Sequence, residues 1–220
     1  MHRAPNGSAA SRGKIMMSKL LRYALLLSLL CSPVAFAKSV KMDPAADQNP
    51  KPEAGKALVV FLRSSFVGSA ISSSVYEAPD SETRFLGVVQ NKNKLAVQVE
   101  PGDHRFMVIA ENADFLDAKV DAGKTYYVLI SPRPGAWKAR FSLLPIHNRA
   151  DAKYSVQSAD FTKWMASGQY VAINAEANEW YEKNKASVAE KKADYLIKWN
   201  KMAPADRQEL VLHAEDGVAK

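Results

Sequence analysis

From Ala57 to Ile146 the side-chain pattern repeats with a period of two, not 3.6, and this period limits what the chain can fold into. Leu95, Val97 and Val99 alternate with Ala96, Gln98 and Glu100. Phe106, Val108 and Ala110 alternate with Arg105, Met107 and Glu111, with Ile109 as the exception. Tyr126, Val128 and Ile130 share one face of a third run. Trp137, Ala139, Phe141 and Leu143 share a face of the last, opposite Lys138, Arg140 and Ser142. A period of two describes strands with one face buried and one face wet, because successive side chains leave a strand on opposite sides.

Turn-forming residues punctuate these runs: Pro79-Asp80-Ser81, Asn91-Lys92-Asn93, Pro101-Gly102-Asp103, Asn112 to Asp117, Ala122-Gly123, and Pro132 to Gly135. The runs near 57–63, 70–77, 84–90, 95–100, 104–111, 118–121, 125–131 and 136–144 make seven or eight strands. Such short connections join antiparallel neighbours, since a parallel crossover takes about a dozen residues or more. The expected fold is mainly β, an antiparallel β-sandwich over residues 56–147 with a C-terminal α-helical extension over 148–220. Within that extension, 159–166 reads as a short helix broken at Gly168, and 174–202 as one long helix stopped by Ala203-Pro204. Trp180, Tyr181, Tyr195 and Trp199 make an aromatic face on the long helix, and glutamates and lysines cover the rest. This face is a candidate interaction surface, for a protein or for peripheral contact with a membrane. A third use, covering one side of the sandwich, is the expected one.

Residues 1–37 read as a signal peptide. Lys19 and Arg22 precede an apolar run, and Ala35-Phe36-Ala37 supplies the small-x-small pattern for cleavage before Lys38. Met16 or Met17 is an alternative start. The run is too short for a transmembrane helix, and Pro33 interrupts it. Cys31 offers the alternative of a lipid anchor, although Leu30 stands where a lipobox has a small residue. The expected location is therefore periplasmic or secreted. All five basic residues before Lys38 lie in the leader, which holds no acid. Removing those five from the 30 basic residues leaves 25 against 23 acids, a net charge of +2 instead of +7. That balance argues against nucleic acid as a partner. Cys31 is the one cysteine, so the mature chain has no disulfide, thiol nucleophile or cysteine metal site. Residues 38–55, with prolines at 44, 50 and 52, read as a disordered linker that pairs with nothing and buries nothing.

Three segments occur in order: GKALVVFLRSSFVGSAISSSVYEA (55–78), VQVEPGDHRFMV (97–108) and AGKTYYVLI (122–130). Together they resemble the bacterial family known as domain of unknown function 2846, over about residues 55–146. The turn-and-strand grammar is also similar to that of PEGA-type envelope domains. The resemblance implies a small exported or surface-anchored sandwich and supplies no catalytic residue.

The stretch AKVDAGKT, 118–125, matches a loose phosphate-loop pattern. A working phosphate loop follows a strand and opens a helix whose N-terminal amides hold the phosphates. Here three acids, Glu111, Asp114 and Asp117, precede the stretch and the strand-like TYYVLI follows it. The reading is therefore a hairpin with Gly123 at its turn, and no nucleotide or other cofactor is expected. The Glu111/Asp114 pair reads as wet loop residues. Hydrolysis would need a hydroxyl of the Ser64–Ser74 region activated by His104, which is kept as the enzymatic alternative. Otherwise Ser72, Ser73 and Ser74 read as a solvent-facing or edge strand. No histidine spacing suggests a metal site on a shared helix face. The functional expectation is a non-catalytic module that binds or scaffolds another envelope protein or a cell-wall component. The alternative to both is a membrane-surface adaptor acting through 174–202.

Overall fold

The computed structural model describes residues 1, 40–64, 71–133 and 140–219. Residues Ser39–Lys220 form one compact unit. Its strands are β1 (Asp43–Pro44), β2 (Ala57–Leu62), β3 (Ser73–Glu77), β4 (Arg84–Val89), β5 (Asn93–Val99), β6 (Gly102–Ile109), β7 (Ala113–Val120), β8 (Lys124–Arg133), β9 (Arg140–Ile146), β10 (Gln169–Ala172), β11 (Val211–Leu212) and β12 (Val218–Ala219). The described helices are α1 (Ala159–Ala166), α2 (Ala175–Lys201) and α3 (Pro204–Gln208), with a 3-10 turn at Ala214–Asp216. The fold is mainly β and sandwich-like, as the alternation implied. Eight of the strands, β2 to β9, cover the predicted region.

One sheet runs β1-β10-β5-β2-β8-β12, with β9 also on β8, and the other runs β11-β7-β6-β3-β4. Most pairs are antiparallel. Three are parallel, β2 with β8, β10 with β5 and β11 with β7. Each parallel pair joins segments far apart in the chain, so short connections do not restrict them.

The expected wet faces are not wet. Between the sheets lies one core, with Val59, Phe61, Phe106, Val108, Tyr126 and Val128 in it. The outer face of the five-stranded sheet carries Tyr76, Met107, Ile109 and Phe115, which pack under Tyr181, Val188 and Trp199 of α2. The outer face of the larger sheet carries Leu58, Val60, Tyr127 and Leu129, covered by Tyr154, Phe161 and Trp164. All six residues of β2 are therefore buried. Residues 148–219 supply two outer layers rather than an appendage.

Four local expectations are corrected. Residues 40–49 are not a free tether. Val40 and Met42 are buried, and β1 pairs with β10. The Gln48 side chain extends this pairing, accepting from Tyr170 N at 2.9 Å and donating to Tyr170 O at 3.0 Å. Asn112 to Asp117 is not a turn segment, since β7 begins at Ala113 and Asp114 is only 2% exposed. Ser73 and Ser74 are buried on β3, which lies inside its sheet between β6 and β4. Their hydroxyls donate to Val89 O at 2.7 Å and Ile109 O at 3.1 Å. The Gly123 turn is not a hairpin, because β7 and β8 belong to different sheets. It arches from one sheet to the other, with Gly123 at φ +76, a conformation that glycine adopts without steric cost.

Residues 211–219 close one side of the sandwich. Along the free edge of β8, β9 ends with Ile146 opposite Tyr127 and β12 begins with Val218 opposite Thr125. Before that, β11 pairs Val211 and Leu212 with Asp117 and Ala118 on the edge of β7. Residues 211–219 therefore cross from one sheet edge to the other. Gly217 lets them pass closely, since a Cβ there would lie 2.6 Å from Tyr126 Cζ and from Lys124 Cδ. Tyr126 Oη donates to Ala214 O at 3.1 Å and so fixes the crossing.

Candidate functional site

The aromatic face of the long helix is turned inward. Asn174 caps α2 by accepting from Ala177 N at 2.9 Å, which starts the helix at the right phase to lay its stripe on the sheet. Tyr181 stacks on Phe85 at 4.9 Å between ring centres, and Trp199, 1% exposed, meets Phe115 edge-on at 5.7 Å. Trp180 and Tyr195 are half-buried against the same cluster. Tyr195 Oη donates to Asp114, whose other oxygen lies 2.9 Å from Arg133 Nη2. Burial pushes the Asp114 carboxyl up, while the Tyr195 and Arg133 contacts oppose that push. Four residues expected as an interaction face thus form an internal contact, and Asp114 anchors it instead of facing water. No described helix is long and apolar enough to cross a membrane.

His104 is engaged on both ring nitrogens. Nδ1 lies 2.6 Å from Glu77 Oε1 and Nε2 lies 2.8 Å from Glu100 O. A carboxylate and a carbonyl can only accept, so both nitrogens donate and the ring is an imidazolium. The hydrogen bond to Glu77 accordingly raises the His104 pKa above its ordinary value. An imidazolium has no lone pair with which to take a serine proton. Its distance from the described serines points the same way. Ser74 is registered opposite Ile109, five residues along β6 from His104, or ~17 Å at strand rise. Ser64 Oγ lies 3.5 Å from Ser167 Oγ, and Ser72 Oγ accepts from Gln90 Nε2 at 3.2 Å. Ser65 and Ser69 lie outside the described residues, as do Trp137, Ala139 and the cleavage residues Ala35, Ala37 and Lys38.

AKVDAGKT offers no phosphate cradle. Lys124 Nζ is spent on Asp121 Oδ2 at 2.9 Å and Ala214 O at 3.1 Å, and the residues after it are strand β8.

The arrangement with open chemistry was not legible as a site in the sequence. It sits where β9 ends and the C-terminal crossing begins. His147 follows the last residue of β9, and its Nδ1 lies 2.9 Å from Asp216 Oδ2. The same carboxylate accepts from His213 N at 2.8 Å and from Asn148 N at 3.2 Å. Asp216 is 3% exposed, so its charge is held by three donors and not by water. With the carboxylate accepting, Nδ1 of His147 carries the proton of that contact, and in the neutral ring Nε2 is the nitrogen with a lone pair. The His213 ring stands 6.3 Å from the His147 ring, at 25° to it. Both line a cleft of about 710 Å³ together with Arg149, Lys153, Tyr154 and Glu209. His104 thus has an acceptor at each ring nitrogen, whereas His147 has one at Nδ1 and lines a cleft. Among the described residues, no three histidines, acids or cysteines are grouped to hold a metal ion by themselves.

Fold and cleft together define a class, a two-sheet β domain whose edges are covered by residues 40–44 and 211–219, with a cleft lined by His147 and His213. Over 113 residues the chain is 29% identical to a Haemophilus influenzae protein named "Uncharacterized protein". The match takes in 50% of this chain and 63% of that one, so it spans less than two thirds of the relative's length. No family model and no solved structure matches the chain.

Proposed function

We propose that this protein is an exported module of the bacterial envelope that binds or scaffolds another envelope protein or a cell-wall component. One observation carries the reading. The leader-like run ends at Ala37, and the compact unit starts at Ser39 with Val40 already buried. Cleavage after Ala37 would leave two residues ahead of Val40 and so would remove no described core side chain. The absence of cysteine beyond Cys31 suits a domain stabilised by its core alone. Kinship with domain of unknown function 2846 is part of the same proposal. It is supported by the three resembling segments falling on β2–β3, the β5–β6 connection and β8. Binding is favoured over turnover because His104 is an imidazolium and the hydroxyls of Ser73 and Ser74 are spent on backbone carbonyls.

The test is expression of the untagged full chain in a bacterial host, followed by osmotic-shock fractionation and intact mass measurement. The expected product is a shock-released chain beginning at Lys38. An uncleaved cytosolic chain overturns export, and a lipid mass on Cys31 replaces cleavage at Ala37 with anchoring. Turnover of an ester, glycan or phosphate library, abolished by one Ser or His substitution, overturns the non-catalytic reading.

A further inference from the structure

We propose that the His147–His213 pair is a binding site for one divalent transition-metal ion, with water completing its coordination. The site belongs to the folded unit and does not depend on export. Four observations converge on it. His147 presents Nε2 as an acceptor because Nδ1–H is committed to Asp216. A carboxylate behind a histidine is the outer-shell arrangement that fixes the tautomer and orientation of a metal-ligating imidazole. Asp216 is itself immobilised by two backbone N–H groups and near-complete burial, so the orienting group cannot swing into the site as a rival ligand. The second imidazole lines the same cleft, with ring centres 6.3 Å apart.

The ring separation is close to that of two imidazoles sharing one ion. With each nitrogen about 2.0–2.1 Å from a shared ion, two ligating rings stand about 5–6 Å apart. Two imidazoles without thiolate select zinc, nickel or copper over magnesium or calcium, which take oxygen. Glu209 and Glu215 line the cleft and offset the charge an ion brings. Arg149 does not oppose it, being paired with Asp151 at 2.8 Å.

The experiment is equilibrium dialysis and titration calorimetry of the untagged full chain with Zn²⁺, Ni²⁺ and Mg²⁺. Two-nitrogen coordination is read from the Cu²⁺ electron paramagnetic resonance spectrum. Expected are one Zn²⁺ or Ni²⁺ per chain, no competition by Mg²⁺, and about a tenfold or greater loss of affinity in His213→Ala. His213 is the chosen position because His147 also anchors Asp216, and replacing it could loosen the tail. His104→Gln is the control, expected to keep wild-type affinity. No stoichiometric Zn²⁺ or Ni²⁺ binding overturns the proposal. So does binding that His213→Ala leaves unchanged in a variant with the wild-type circular dichroism spectrum and melting temperature.

Discussion

Replacing Glu77 with Gln separates a structural histidine from a catalytic one. Glu77 sits at the end of β3, between His104 Nδ1 at 2.6 Å and Arg84 Nη2 at 2.5 Å. The hydrogen bond from His104 is the main cause of a carboxyl pKa lowered from 4.5 to about 2, against the opposing effect of burial. A shift of that size corresponds to roughly 3 kcal/mol at full value. Because both side chains remain partly hydrated, about 2 kcal/mol is the better expectation. The sign follows from the direction of the shift. A carboxylate with a lowered folded pKa stabilises the native state above its unfolded value of 4.5, and this stability fades as pH falls toward 2. His104 has the opposite linkage. Its folded pKa is raised, so its contribution is full below 6.5 and fades as pH rises through the folded value. The two describe one ion pair and are not added. Urea denaturation of wild type and Glu77→Gln, in half-unit steps from pH 2 to 9, reads both arms. The stability difference should peak near pH 5–6 at about 2 kcal/mol and shrink on either side. A constant difference across the whole range would refute the ion pair as its source.

Two further substitutions test how the outer layers and the tail are held. Trp199→Ala removes the most buried aromatic of α2 from its contact with Phe115, and should cost about 3–5 kcal/mol in chemical denaturation while α2 remains helical by circular dichroism. Gly217→Ala forces a methyl group to within 2.6 Å of Tyr126 Cζ, so about 1–3 kcal/mol should be lost, with faster amide exchange confined to 211–219; unchanged exchange there would show that the crossing is not tightly seated.

What the sequence revealed was what local periodicity encodes. Strands β5, β6, β8 and β9 came from alternation, and α2 from a stripe with Asn174 at one end and Ala203-Pro204 at the other. Misreadings occurred where a residue's partner lies far along the chain. Asn112 to Asp117 looks like a wet turn because it holds two aspartates. In the structure Asp114 meets Arg133 and Tyr195, and Asp117 takes Arg105 Nε at 2.7 Å. With those charges matched, Ala113, Phe115 and Leu116 are free to continue a buried strand. Strands β1, β10, β11 and β12 have two to four residues each, too few for any period to be visible. The site failed for the same reason, since His147 and Asp216 are 69 residues apart and neither lies in a motif.

Both chain ends of the folded unit perform one task, and that task accounts for the position of the cleft. A two-sheet sandwich of this order has open sides where edge strands offer unpaired backbone groups. On one side residues 40–44 close the gap, with β1 on β10 and Met42 packed at Gly87 of β4. On the other, residues 211–219 bridge β7 and β8 and fill the edge that β9 leaves uncovered beyond Ile146. The bridge cannot be flush with β9, because β12 and β9 share the same edge of β8 end to end. A notch remains at their junction, and a junction of chain segments leaves polar groups that need partners. Asp216 supplies acceptors to two backbone N–H groups there and to one imidazole. The His147 imidazole held at the cleft is therefore a consequence of how the sandwich is closed. A chain truncated before Val211 would lose the cleft and expose the β7 and β8 edges in the same step.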